Sequence, residues 1–148
     1  MGDIENHFNH GSFVKLKNDV FPTRIHVQSL IHDIEGFRLI VKPEFCKDAV
    51  MYVIAFEDIE QYIVTPNFPF KSLDLFDSGK WGIYKNIDRN TSLLKKYHDE
   101  TDNMYLSWPI DHYVIIGVND GTGCVEILSQ SNPQITRMPN RVDLKLKL

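Results

Sequence analysis

Cys124 and the neighbouring pair Asp111-His112 are the residues whose types could carry covalent chemistry. A thiolate beside a histidine base is a nucleophile, and a tight hairpin joining residues 113–118 to 124–128 would bring Cys124 towards His112 across the sheet. No glycine-rich elbow or helix N-terminus accompanies the cysteine to lower its pKa. A buried thiol, with a histidine bonded to backbone near a strand start, is therefore the preferred reading, and a Cys/His hydrolase is kept as a minor alternative. His7 and His10 have a metal-ligand spacing only if helical, and no third ligand of matching spacing follows them. His26 and His32 share one face of a strand only if no bulge falls between them. Gly117, Gly121 and Gly123 fit neither dinucleotide nor phosphate-loop spacing and read as turn residues. Asn90-Thr91-Ser92 reads as helix-capping chemistry. No catalytic residue, metal ligand or cofactor is expected.

The acids suggest more. Glu57, Asp58 and Glu60 occur together, Asp74 and Asp77 flank Phe76, and Asp99, Glu100 and Asp102 close a helical pattern. Acids at a helix C-terminus oppose its dipole, so stability explains them poorly. Aromatic anchors interleaved with charge are what an interface uses for affinity and steering. The expected partner-binding set is Glu57, Asp58, Glu60, Tyr62, Asp74, Phe76, Asp77 and Trp81. The bland counterpart is a solvated acidic face over aromatics that belong to the core. A third reading has Phe68, Phe70, Phe76 and Trp81 lining an apolar cavity for a small ligand.

Charge narrows the partner. The 148 residues carry a formal −4. Residues 137–148 hold four bases against one acid, a net +3, which leaves −7 for the rest of the chain. Most of this chain repels phosphate, so a basic protein fits better than nucleic acid. No run of residues is apolar for long enough to cross a bilayer, and no signal-peptide pattern opens the sequence. No membrane association and a cytoplasmic location are expected. Cys46 and Cys124 lack a C-x-x-C spacing and read as buried free thiols.

These residues must be positioned by one domain, 1–148, with residues 1–12 loose; hydrophobic residues are 43% of the chain, enough for one core. Residues 13–17 read as an initial strand. Residues 24–34 alternate polar and apolar with a break of phase at Leu30-Ile31, the mark of a bulge. Glu35-Gly36 then turns the chain into 37–42, making a hairpin. The all-apolar stretch 49–56 is the expected central strand, and 61–64 and 81–84 are further short strands. Residues 65–78 read as an irregular loop and 144–148 as an edge strand. Leu93, Leu94 and Tyr97 put a helix within 88–100, capped by Asn90, Thr91 or Ser92. The fold class is α+β, a mainly antiparallel twisted sheet with one or two short helices.

The run Val53-Ile54-Ala55-Phe56-Glu57-Asp58-Ile59-Glu60-Gln61-Tyr62, together with His112-Tyr113-Val114-Ile115-Ile116 leading into Cys124-Val125-Glu126-Ile127-Leu128-Ser129 and Pro133, resembles small bacterial immunity proteins. These are the cytosolic antidotes of contact-dependent or polymorphic toxins. The resemblance touches about a third of the chain, in strand patterns without functional side chains. It implies stoichiometric neutralisation of a cognate protein toxin, often a basic nuclease, with no contact residue carried over.

Overall fold

The structure, a computed structural model, describes residues 13–16, 25–43, 50–65, 82–117 and 124–138. The described residues form nine strands and one helix. The strands are β1 (Phe13–Lys15), β2 (Ile25–Asp33), β3 (Gly36–Pro43), β4 (Tyr52–Phe56), β5 (Gln61–Thr65), β6 (Gly82–Asn86), β7 (Asp111–Ile116), β8 (Cys124–Ser129) and β9 (Gln134–Arg137), and the helix is α1 (Ser92–Glu100). All pairings are antiparallel. They make a five-stranded sheet, ordered β1-β6-β7-β8-β5, and a four-stranded sheet, ordered β2-β3-β4-β9.

Period-two alternation explains how the two sheets meet. Ile25, Val27, Phe37, Leu39, Val41, Ile54 and Phe56 from the smaller sheet share one core cluster with Ile83, Tyr113, Ile115, Val125 and Ile127 from the larger. Burying each of these large apolar side chains contributes about 1.5–3 kcal/mol. The opposite face of the larger sheet is buried too. There α1 presents Leu93 and Leu94 to Ile110 and Leu128, with Ile63, Tyr97 and Tyr105 around them. Helix, sheet and sheet are stacked in that order.

This arrangement refines the expected central strand: β4 is an interior strand of the four-stranded sheet but is not covered on both faces. In β4 only Ile54 and Phe56 are buried, whereas every residue of β7 and β8 is. It is β7 and β8 that are covered on both faces, and β7 is the middle strand of its sheet. β9 was not read from sequence, and its four residues are mostly polar. The expected loop at 65–78, past Thr65, and the expected strand at 144–148 lie outside the described residues, as do residues 1–12.

The bulge in β2 sits at Gln28, ahead of the Leu30-Ile31 break of phase, where register steps from Val27↔Val41 to Ser29↔Ile40. His26 pairs with Lys42, outside the core face that holds Val27 and Val41; His32 pairs with Phe37, on the core face. The two histidines therefore lie on opposite faces. Gly36, at φ 115°, closes the hairpin in a conformation that suits glycine.

α1 begins later than 88. Arg89 adopts φ 52°, which breaks any helix through it, and Thr91 takes the N-cap position with its hydroxyl accepting from Leu94 N–H. At the other end the Thr101 hydroxyl bonds the Tyr97 carbonyl at 2.9 Å. Asp102 and Asn103, at φ 51° and 59°, then stop the helix.

Candidate protein-interaction site

Strand register places the described connections at one end of the stacked sheets. Asp111 pairs with Ser129 and Gln61 with Leu128, so the start of β7, the end of β8 and the start of β5 lie together. The end of β4 leads into β5 across 57–60, and Phe56 pairs with Phe37 at the start of β3. The β2–β3 turn, the 57–60 turn, the 87–91 segment and the 130–133 link thus share that end, and 101–110 runs back into it at Asp111.

Two properties concentrate there. The exposed large hydrophobics among the described residues are Ile34, Tyr62, Ile87, Met104, Leu106 and Trp108. Five lie in these connections and Tyr62 is the second residue of β5. Residues 33–36, 57–60, 87–91, 99–110 and 130–133 also contain nine acids and one base, Arg89. That base is engaged: its Nε lies 2.7 Å from Asp111 Oδ1, and this bond raises the guanidinium pKa further. Lys85, from β6, approaches the same carboxylate at 3.5 Å and donates to Asn132 Oδ1 at 3.3 Å. Tyr113 donates to that oxygen as well, at 2.7 Å.

A cleft of about 370 Å³ opens at this end. Phe37, Ala55 and Phe56 lie against it beside the polar Glu35, Arg38, Glu57, Asn132 and Gln134. Arg38 bonds both carboxylate oxygens of Asp33 at 3.0 Å. That contact, with the Glu35 backbone N–H on Asp33 Oδ1, holds the Asp33 carboxyl below its ordinary range.

Four of the eight expected binding residues are described, and the structure brings them to this end. Glu57 is exposed on the cleft and Asp58 is exposed next to it. The Asp58 carbonyl accepts from Ser129 Oγ, which ties the 57–60 turn to β8. Glu60 is more structural than expected: Tyr97 donates to one of its oxygens at 3.4 Å and Gln130 to the other at 3.1 Å. Burial, then Glu60, raises the Tyr97 pKa. Tyr62 is partly an inter-sheet contact, its ring 5.1 Å from Phe37 and 5.9 Å from His32, and it stays 39% exposed. Asp74, Phe76, Asp77 and Trp81 lie outside the described residues, as do Phe68 and Phe70 of the expected apolar cavity. Sequence reasoning missed Ile34, Glu35, Met104, Leu106 and Trp108. An isoleucine at a turn next to Glu35-Gly36 was the available signal.

The Cys124–His112 pairing does not form. Cys124 lies opposite Ile116, and His112 opposite Leu128, so four residues, roughly 13 Å of strand, separate them. Cys124 is a fully buried free thiol whose pKa burial pushes well up, with Glu126 adding to the shift; both effects suppress the thiolate. Asp111 and His112, as strand neighbours, point to opposite faces. His112 instead joins a buried relay: Nδ1 lies 2.8 Å from Thr91 Oγ1 and Nε2 lies 2.9 Å from Glu126 Oε1. A carboxylate only accepts, so Nε2 carries a proton, and in the neutral ring Nδ1 accepts from the threonine hydroxyl. The connectivity resembles a nucleophile–base–acid triad. Its exposures of 0, 0 and 3% for Thr91, His112 and Glu126, and the use of Thr91 as a helix cap, make it a joint between α1 and the sheet.

Among the described residues, no cluster of three or more His, Cys, Asp or Glu is placed to hold a metal ion, and no helix is long and apolar enough to cross a membrane. No family model matches the chain, and neither a curated protein nor a solved structure matches it.

Proposed function

We propose that this protein is an immunity-type binding protein that neutralises a cognate bacterial toxin by forming a stoichiometric complex in the cytoplasm. One observation carries the reading: all six exposed large hydrophobics among the described residues lie in, or in Tyr62's case just beyond, the connections that open on or lead into one end of the fold, and those connections carry nine acids and one base. Apolar anchors ringed by like charge form a surface that binds a complementary, basic protein and steers it in from a distance. Met104, Leu106 and Trp108 supply apolar area, and Trp108 is braced by Tyr105 at 4.4 Å between ring centroids. Glu57 and Asp58 supply exposed charge. The strand patterns that resemble immunity proteins favour a toxin as the partner, and a basic nuclease domain fits the charge.

Co-expression with the toxin domain encoded beside its gene tests the reading. Restored growth and a one-to-one complex on size-exclusion chromatography with light scattering are expected. Continued toxicity with no complex, or the absence of any such toxin gene, refutes it.

A further inference from the structure

We propose that the cleft beside the β2–β3 turn receives a cationic side chain of the partner, arginine in preference to lysine. The inference rests on the protein-binding reading above and assigns the cleft its ligand chemistry.

Three charged residues line the cleft, and they are not equivalent. Arg38 is already matched to Asp33 through two bonds of 3.0 Å, so its charge is largely cancelled. No ion pair or side-chain hydrogen bond engages the carboxylates of Glu35 and Glu57 among the described residues, and both residues are exposed. An entering cation therefore meets two carboxylates without a bonded partner, Glu35 lying near enough to Arg38 to help raise the guanidinium pKa.

The fold brings the backbone of Glu57 beside Gly36, the residue next to Glu35 in sequence. Phe37 pairs with Phe56, so Gly36 and Glu57 are the next residues along this pair of strands. A Cβ built on Gly36 would stand 3.5 Å from the Phe56 carbonyl oxygen and 3.8 Å from that of Glu57. Beneath lie the Phe37 and Phe56 rings, edge to face at 6.2 Å and almost wholly buried, which makes a rigid floor. Asn132 is fixed in the wall because its Oδ1 accepts from both Tyr113 and Lys85.

The guanidinium preference follows from geometry. About 370 Å³ accommodates one long side chain but no folded segment. A planar fork of five donors can satisfy two carboxylates at once, whereas an ammonium is a compact, strongly hydrated point charge.

The test is an NMR titration of the ¹⁵N-labelled full chain with N-acetyl-arginine methylamide, with the lysine and citrulline analogues in parallel. Saturable millimolar shifts confined to Glu35, Phe37, Arg38, Phe56 and Glu57 are expected with arginine, smaller ones with lysine and none with neutral citrulline. The double variant Glu35→Gln/Glu57→Gln, checked for unchanged circular dichroism, should weaken arginine binding at least about tenfold, because two charge-assisted bonds are lost. Absent shifts, shifts equally strong with citrulline, or shifts centred on Asp99, Glu100 and Asp102 overturn the proposal. Lysine binding more tightly overturns the guanidinium preference. Failure here while a toxin complex still forms removes only the cleft assignment; arginine binding without any toxin complex removes only the proposed function.

Discussion

Replacing Thr91 with valine removes one hydroxyl from the start of α1 while keeping the side chain's shape. That hydroxyl oxygen accepts from Leu94 N–H at 3.3 Å and lies 2.8 Å from His112 Nδ1. Losing an N-cap oxygen costs about 1 kcal/mol. Withdrawing the hydroxyl from a fully buried imidazole nitrogen costs about a further 1–3 kcal/mol. The expected loss is therefore about 2–4 kcal/mol, and at about 3 °C per kcal/mol for a chain of this length the Tm falls by about 6–12 °C. Thr91→Ser retains the hydroxyl and should lose less than about 1.5 kcal/mol, the scale of deleting one buried methyl group. Urea and thermal unfolding followed by far-UV circular dichroism give both values. A valine variant as stable as the parent, or a serine variant as unstable as the valine one, would refute the relay as a joint between helix and sheet.

Gly117→Ala should destabilise by about 1–3 kcal/mol in urea unfolding, the scale of an overpacked core, because the added Cβ would stand 2.9 Å from the Ile25 carbonyl oxygen. High pH should weaken the fold. Burial raises the pKa of Cys124, Tyr113 and Tyr97, so the native state keeps protons that the unfolded chain releases. Stability is then full below the unfolded values and falls as pH rises past about 8.5 for the thiol and about 10 for the phenols. Each retained proton adds a slope of about 1.4 kcal/mol per pH unit, and Tyr113→Phe should flatten it in urea titrations between pH 8 and 11. Glu57→Gln/Asp58→Asn should leave the unfolding free energy within about 0.5 kcal/mol of the parent's, as for surface changes in general, yet slow association with the toxin at low salt and reduce its salt dependence. Trp108→Ala should act oppositely in kinetics, raising the dissociation rate with little change in association, as surface plasmon resonance can separate.

Local chemistry in the sequence was enough for the turn at Glu35-Gly36, the capped helix, the bulged β2 and the β7–β8 hairpin, because glycine, capping residues and period two act over short distances. It was insufficient for the centre of the sheet. β4, β7 and β8 are all largely apolar in sequence, and only tertiary placement decides which is covered on both faces. The acids 57, 58 and 60 were identifiable as a cluster, but the pairing of Glu60 with Tyr97 and Gln130 joins residues 37 and 70 positions apart. The same holds for His112 with Thr91 and Glu126. A hydrogen bond across such separations leaves no periodic trace, so the sequence offers His112 as a candidate base, whereas register sets Cys124 four residues away along the strand.

The most direct test of the central claim is hydrogen–deuterium exchange of this protein alone and in complex with its toxin. Protection concentrated in residues 33–38, 57–62 and 101–109 is the predicted result. Unchanged exchange there, with protection instead on the outward side of β2 and β3 around His26 and Lys42, would contradict it.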